Sequence, residues 1–203
     1  MAHGSFPFRL GSFDCHSISD RGSAAVELTV LLVSTGSEYL LVDTGAGRSF
    51  QPNWGFLVDR LNDIGLVPNQ IDAVVFSHAD WDHVGGATDE EGAPLFSRAR
   101  YVIARQEWEY WAQQPERLPP SADYDEAFRQ LSQTLPQRRL AELRDTVEIV
   151  EFGTEILAGV FLMAAPGHTP GSAIVTVQSG GDQLFFIGDL ILSDPQVTED
   201  PSW

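Results

Sequence analysis

Apolar residues along this chain fall mostly into short runs and alternations, the pattern of strands, broken by two stretches of helical spacing. Residues 6–19 mix apolar and polar positions as an edge strand would. Val26 to Thr35 is rich in β-branched residues, and Gly36-Ser37 turns it into Glu38-Tyr39-Leu40-Leu41-Val42, which predicts a hairpin. Trp54, Leu57, Val58, Leu61 and Ile64 then follow the i, i+3, i+4, i+7 spacing of an amphipathic helix, with Gly65 placed to end it. Ile71-Asp72-Ala73-Val74-Val75-Phe76 reads as a buried strand, and Tyr101-Val102-Ile103-Ala104 as another. From about 105 to 145 the chain turns to helix formers and charges, with a Pro119-Pro120 break and aromatics at Trp108, Tyr110, Trp111, Tyr124 and Phe128. This helical excursion lies beside the core, its aromatics either lining a pocket or packing it onto a sheet. Val147–Phe152, Ile156–Ala164, Ser172–Gln178 and Leu184–Ile187 return to strands. Strand–helix–strand order predicts a layered α/β architecture, read as one domain over residues 1–203.

Polar residues interrupt this pattern at particular places. The strand ending at Phe76 runs into Ser77-His78-Ala79-Asp80-Trp81-Asp82-His83-Val84-Gly85-Gly86, with imidazoles and carboxylates at His78, Asp80, Asp82 and His83. A strand that ends in such a loop aims several metal ligands at one point from a rigid base. Burying unpaired carboxylates there costs on the order of several kcal/mol each, so cations are natural partners. Pro166-Gly167-His168-Thr169-Pro170-Gly171-Ser172 holds His168 in a stiff Gly/Pro turn, and Phe185-Phe186-Ile187-Gly188-Asp189 ends an apolar strand on a carboxylate with two oxygens to offer. Asp43-Thr44-Gly45 ends the second strand of the hairpin, where Asp43 is either a turn former or an acid that orients a ligand. Thr88-Asp89-Glu90-Glu91-Gly92 reads as a solvated acidic turn.

Charge narrows the partners. With 29 acids against 12 bases the net charge is −17, and every base is arginine. Such a surface repels a phosphate backbone, so no nucleic-acid partner is expected. Cys15 is the single cysteine, which excludes an intrachain disulfide and suits a reducing compartment. It has no matching histidine, which weakens a thiol-hydrolase reading. The first residues lack the basic and apolar regions of a signal peptide, and no apolar run approaches the ~18 residues of a membrane span. The expectation is a cytoplasmic protein with no membrane partner.

Together the loop from His78 to His83 with Gly85-Gly86, the segment Gly167-His168-Thr169-Pro170-Gly171-Ser172, Gly188-Asp189 and, more weakly, Asp43-Thr44-Gly45 resemble the metallo-β-lactamase superfamily of metal-dependent hydrolases. The resemblance covers nearly the whole chain and speaks to fold more than to substrate. It implies a four-layer αββα sandwich with the site at one edge of the two sheets. It implies that His78, Asp80 and His168 hold one divalent ion, that Asp82 and His83 hold a second, and that Asp189 bridges them. The implied cofactors are two divalent ions, Zn²⁺ foremost, with Asp82 also a proton carrier. The helical excursion looks like that of lactonases and related ester or phosphotriester hydrolases. The expected activity is therefore hydrolysis of a small ester, lactone or related molecule by metal-activated water.

Two departures from the family pattern matter. Asp80 stands where the usual loop has histidine, which hardens the site and brings Mn²⁺ or Fe²⁺ into contention. Family members also carry a further histidine after the bridging aspartate, whereas no histidine follows Asp189. The chain resembles a truncated form lacking that ligand and a closing strand and helix. The alternatives are a phosphodiesterase or nuclease of the same fold, a flavodiiron-like redox protein lacking its flavin domain, and a metal-poor, non-catalytic remnant. The substrate partner is a small molecule, and a homodimer stays open.

Overall fold

The structure, a computed structural model, describes residues 4–22, 28–48, 52–113 and 125–191. The chain opens with β1 (Ser5–Leu10), β2 (Phe13–Ser19), β3 (Thr29–Ser34) and β4 (Tyr39–Val42), each antiparallel to the one before. Next come α1 (Leu57–Asp63), β5 (Ala73–Val75), the single turn α2 (Trp81–Val84), β6 (Arg100–Ala104), α3 (Arg105–Ala112), α4 (Glu126–Leu143) and β7 (Val147–Val150). β4 to β7 run parallel and complete a seven-stranded sheet ordered β1 to β7. A second, antiparallel sheet is ordered β11-β10-β9-β8, from β8 (Glu155–Leu157), β9 (Val160–Ala164), β10 (Ala173–Ser179) and β11 (Asp182–Phe186).

The continuous apolar runs sit where both faces of the large sheet are covered. Ala73, Val74 and Val75 of β5 are all fully buried. Val74 points to the side where Leu57, Leu61, Trp111, Leu140 and Leu143 of the helices pack. Ala73 and Val75 point the other way, into a core shared with Leu162, Val175 and Val177 of the second sheet. The layers are thus helices, large sheet and small sheet. Among the described residues no helix covers the outer face of the small sheet, where Met163 and Phe185 remain exposed. The described residues thus carry three of the four layers of the expected sandwich.

Several expectations need correction. The pattern at 6–19 is two strands, not one, because Gly11 takes a positive φ of 57° and turns the chain at Gly11-Ser12. Ile156–Ala164 likewise splits into β8 and β9 around Gly159, at φ 82°, so Leu157 faces Val160 across a tight hairpin. The predicted helix begins at Leu57 rather than Trp54. The Pro119-Pro120 break, Tyr124, and Val26 and Glu27 of the predicted hairpin lie outside the described residues. No helix among the described residues is long and apolar enough to cross a membrane.

Topology places the site. Val42 of β4 stands opposite Val75 of β5, so Asp43 and the segment after β5 leave the sheet side by side. β6 runs the same way, and α3 starts at that edge. Across the interface, Ala173 at the start of β10 donates its N–H to Ser77 O at 2.8 Å, tying the second sheet to the same edge.

Candidate metal centre

Phe76 closes the sheet pairing of β5 by donating N–H to Val102 O, and the chain then releases Ser77 and His78. Asp80 precedes α2 in an extended conformation, and the turn of helix puts His83 back over His78. Their ring centroids are 3.9 Å apart, and His168 meets the His78 ring edge-on at 5.0 Å. His168 Nε2 lies 2.9 Å from Asp80 Oδ2. Asp189 sits between the rings: Oδ1 is 3.1 Å from His83 Nε2, and Oδ2 is 3.6 Å from His168 Nε2 and 3.9 Å from His78 Nε2.

Two sets of ligand atoms result, each within 4.8 Å of one another: His78, His83 and Asp189, and His78, Asp80 and His168. Five of the six residues singled out in the sequence fall in them. Asp82 does not; its Oδ1 is 4.0 Å from His83 Nε2, on the wall of a cleft shared with His83 and Asp189. His16, by contrast, is far from this constellation and pairs with Ser5 Oγ at 2.9 Å.

Asp43 turns out to be both things its motif allowed. It adopts a left-handed φ of 66°, and its buried carboxylate accepts three hydrogen bonds. Ser77 N donates to Oδ1 at 2.7 Å, Ser77 Oγ donates to Oδ2 at 2.7 Å, and His83 Nδ1 reaches Oδ2 at 2.8 Å. A carboxylate only accepts, so His83 carries its proton on Nδ1. The Ser77 hydroxyl, having given its proton to Asp43, can only accept from His78 Nδ1, 3.1 Å away. One carboxylate thereby holds a proton on Nδ1 of both rings, so that Nε2 of each is the nitrogen facing the site. Neither Nε2 has a hydrogen-bond partner among the described residues, although both are buried.

Electrostatics follow the same geometry. Burial, reinforced by the His83 and His168 charges, holds His78 well below its usual pKa despite Asp80 and Asp189. Burial works against charge on His83 as well, but Asp43 and Asp82 outweigh it and hold that ring well above its usual value. Burial also opposes charge on Asp189, yet the three imidazoles prevail and bring it down to about 2. Asp82 goes the other way, pushed up to about 6 by burial and then by Asp189 and Asp80.

The loop of Asp43 to Gly47 braces the metal loop through backbone contact. Thr44 N and Oγ1 both donate to His83 O, at 2.8 and 2.9 Å, and Gly86 N donates to Gly45 O. Glycine is required at position 85, because a Cβ there would stand 2.1 Å from Ala46 O. Gly85→Ala is expected to destabilise the fold by about 1–3 kcal/mol through overpacking, measured by urea unfolding. Arg139 of α4 holds the same spot from the other side, its Nε donating to Gly85 O at 3.0 Å.

Three buried charged residues escaped the sequence reading: Asp20, Glu107 and Arg139. Asp20 accepts from the N–H groups of Ala46, Gly55 and Leu57 and so shapes the loop that supports the site, while burial lifts its carboxyl to about 6. Glu107 reads as part of a charged helix face. A clue was present: Glu107 and Trp111 are four apart, which puts an acid on the apolar side of α3. The aromatics of the excursion mostly pack it down, with Trp111 buried and Trp108 and Tyr110 against the helical core. Phe128 differs, meeting Trp81 of the metal loop edge-on at 5.6 Å. Cys15 is buried between the sheets, and burial raises its thiol to about 11, which leaves it no nucleophilic role.

Comparison with known proteins agrees with this geometry. The family described as Metallo-beta-lactamase superfamily matches residues 26–203. An N-acyl homoserine lactonase of Bacillus sp. is 26% identical over 178 residues, covering 77% of this chain and 61% of the relative. A probable metallo-hydrolase of Mycobacterium tuberculosis is 28% identical over 211 residues, covering 90% of this chain and 62% of the relative. The chain thus spans about six-tenths of the length of either relative. Among solved structures, AidC, a dizinc quorum-quenching lactonase in complex with a product, superposes with a TM-score of 0.82 at 25% identity, covering 93% of this chain and 75% of that one.

Proposed function

Since this chain belongs to the metallo-β-lactamase superfamily, we propose that it is a metal-dependent hydrolase of a small lactone or ester, with the constellation at His78 as its centre. The carrying observation is the convergence of two buried Nε2 atoms on one carboxylate, that of His78 without a hydrogen-bond partner among the described residues and that of His83 3.1 Å from Asp189 Oδ1. A buried polar atom left unpaired costs about 1–3 kcal/mol, a cost that a cation at His78 Nε2 would relieve. The donor set, imidazoles with carboxylates, suits a divalent ion of the Zn²⁺, Mn²⁺ or Fe²⁺ kind.

In this reading His78, Asp80 and His168 would hold one ion and Asp82 and His83 the other, with the Asp189 carboxylate available to either. When bound, two such ions polarise a carbonyl oxygen and make water acidic enough to attack at neutral pH. The protein's own part is placement and proton handling. Asp82, on the wall of the cleft, is placed to take a proton from the attacking water and return it to the leaving oxygen. The cleft beside it is ≈ 370 Å³ and carries Leu28, Phe185, Phe186, Ile187 and Ile191 opposite the polar cluster. An apolar wall facing a polar point suits a neutral ester or lactone with an apolar substituent. The lactonase relative and the product-bound AidC structure support the same substrate class.

Elemental analysis should find two equivalents of metal per chain. A lactone and a model carboxylic ester should be hydrolysed faster than a model phosphodiester, with loss of activity on chelation and return on adding Zn²⁺ or Mn²⁺. Metal-free protein that gains no hydrolysis on adding either ion would overturn the proposal, and preference for the phosphodiester would move it to the nuclease reading.

A further inference from the structure

Glu107 stands outside the set of residues that would touch an ion, yet it contacts both loops that supply one. Its carboxylate, fully buried at the start of α3, accepts the backbone N–H of Ala79, between His78 and Asp80, at 2.8 Å. The same oxygen accepts Trp111 Nε1 from one turn along the helix at 2.9 Å, which fixes the side chain. The other oxygen accepts the hydroxyl of Thr169, the neighbour of His168, at 2.5 Å. The His168 loop is also pressed onto the helix: a Cβ at Gly171 would lie 2.1 Å from Glu107 N and 2.3 Å from its Cα. Ser172 completes the join, its hydroxyl accepting from Thr169 N at 2.9 Å.

We infer that Glu107 is the positioning residue for one of the two ligand groups, pinning the loop of His78 and Asp80 to the loop of His168. His83 has a brace that Glu107 does not share, being held by Asp43 and Thr44 with no contact to Glu107 among the hydrogen bonds described. Asp43 also reaches Ser77 beside His78, but of the two carboxylates only Glu107 joins that loop to the one of His168. A buried carboxylate is costly to keep, so three donors converging on this one argue for a geometric task. The backbone link from Ala173 N to Ser77 O joins the same two segments only at their base. Glu107 joins them at the level of the ligands. The pinning itself stands on these contacts alone; its consequence for metal rests on the hydrolase reading.

Two readouts separate these. Hydrogen exchange by mass spectrometry on Glu107→Ala should show faster exchange at 77–80 and 166–172, with 82–86 unchanged. Zn²⁺ titration against a competing chelator should resolve two steps, one weakened by about 10–100-fold and the other within about threefold of the parent. Glu107→Gln, which keeps an oxygen for Ala79 and Trp111 while Thr169 turns its hydroxyl to Ser172, should restore both readouts. If Glu107→Ala does not fold, Thr169→Val cuts one arm alone and should loosen 166–172 only. Exchange that rises uniformly, or does not rise, overturns the pin. Equal weakening of both Zn²⁺ steps overturns its site selectivity. A parent that binds no Zn²⁺ sinks the hydrolase reading instead, while the exchange data still decide the pin.

Discussion

His78→Ala is expected to remove one of the two equivalents of metal, the one it would hold with Asp80 and His168, and to lower hydrolysis by more than about 100-fold, beyond the upper range for loss of a mere orienting partner. The reason is geometric. His78 is one of three side chains that would hold that ion, and its Nε2 lies 3.9 Å from Asp80 Oδ2 and 3.9 Å from Asp189 Oδ2. Its ring, about 1% exposed, lies against His83 and His168, and no other described side chain is placed to replace it. The ring is also in the form a cation needs. Burial keeps it uncharged, and the relay from Asp43 through Ser77 puts its proton on Nδ1. Elemental analysis after dialysis, with circular dichroism to verify the fold, reads the result directly. A variant that retains the parent's two equivalents would show that His78 is not a ligand. His168→Ala should lose the same equivalent, since it belongs to the same set.

How much of this was legible beforehand depends on how local each signal is. His78, Asp80 and His83 lie within one loop after one apolar run, and a single strand end suffices to gather them. His168 and Asp189 follow their own strands with the same logic, a core segment that ends in a polar side chain. The convergence of the three segments came from the resemblance, and the parallel register of β4, β5 and β6 is its physical cause. Where the reading failed, the deciding contact was nonlocal or the turn was cheap. Gly11 and Gly159 each turn a strand back on itself in two residues, too short to break an apolar pattern. Asp20, Glu107 and Arg139 look like ordinary surface charges in the sequence. Their burial is set by backbone groups that arrive from segments 26 to 54 residues away. Charge alone does not predict such partners, because they are main-chain N–H and C=O groups that nearly every residue carries.

Asp43→Ala is expected to be the most damaging change outside the ligand sets, costing about 3–5 kcal/mol of stability. Ala at this position leaves the Ser77 N–H, the Ser77 hydroxyl and His83 Nδ1 without their common acceptor in a buried site, and it places an ordinary side chain at φ 66°. Asp43→Asn separates the two functions. Asparagine tolerates the left-handed backbone and keeps one oxygen, so much of the stability should return. If its amide NH₂ faces His83, Nδ1 must accept, and the ring proton then moves to Nε2, into the space a cation would take. The Asn variant should therefore unfold within about 1–2 kcal/mol of the parent yet bind Zn²⁺ about 10–100-fold more weakly. Urea unfolding and chelator competition measure the two separately, and imidazole ¹⁵N shifts report the tautomer. An Asn variant that binds Zn²⁺ as tightly as the parent would mean that Asp43 holds the loop but does not set the ring protons.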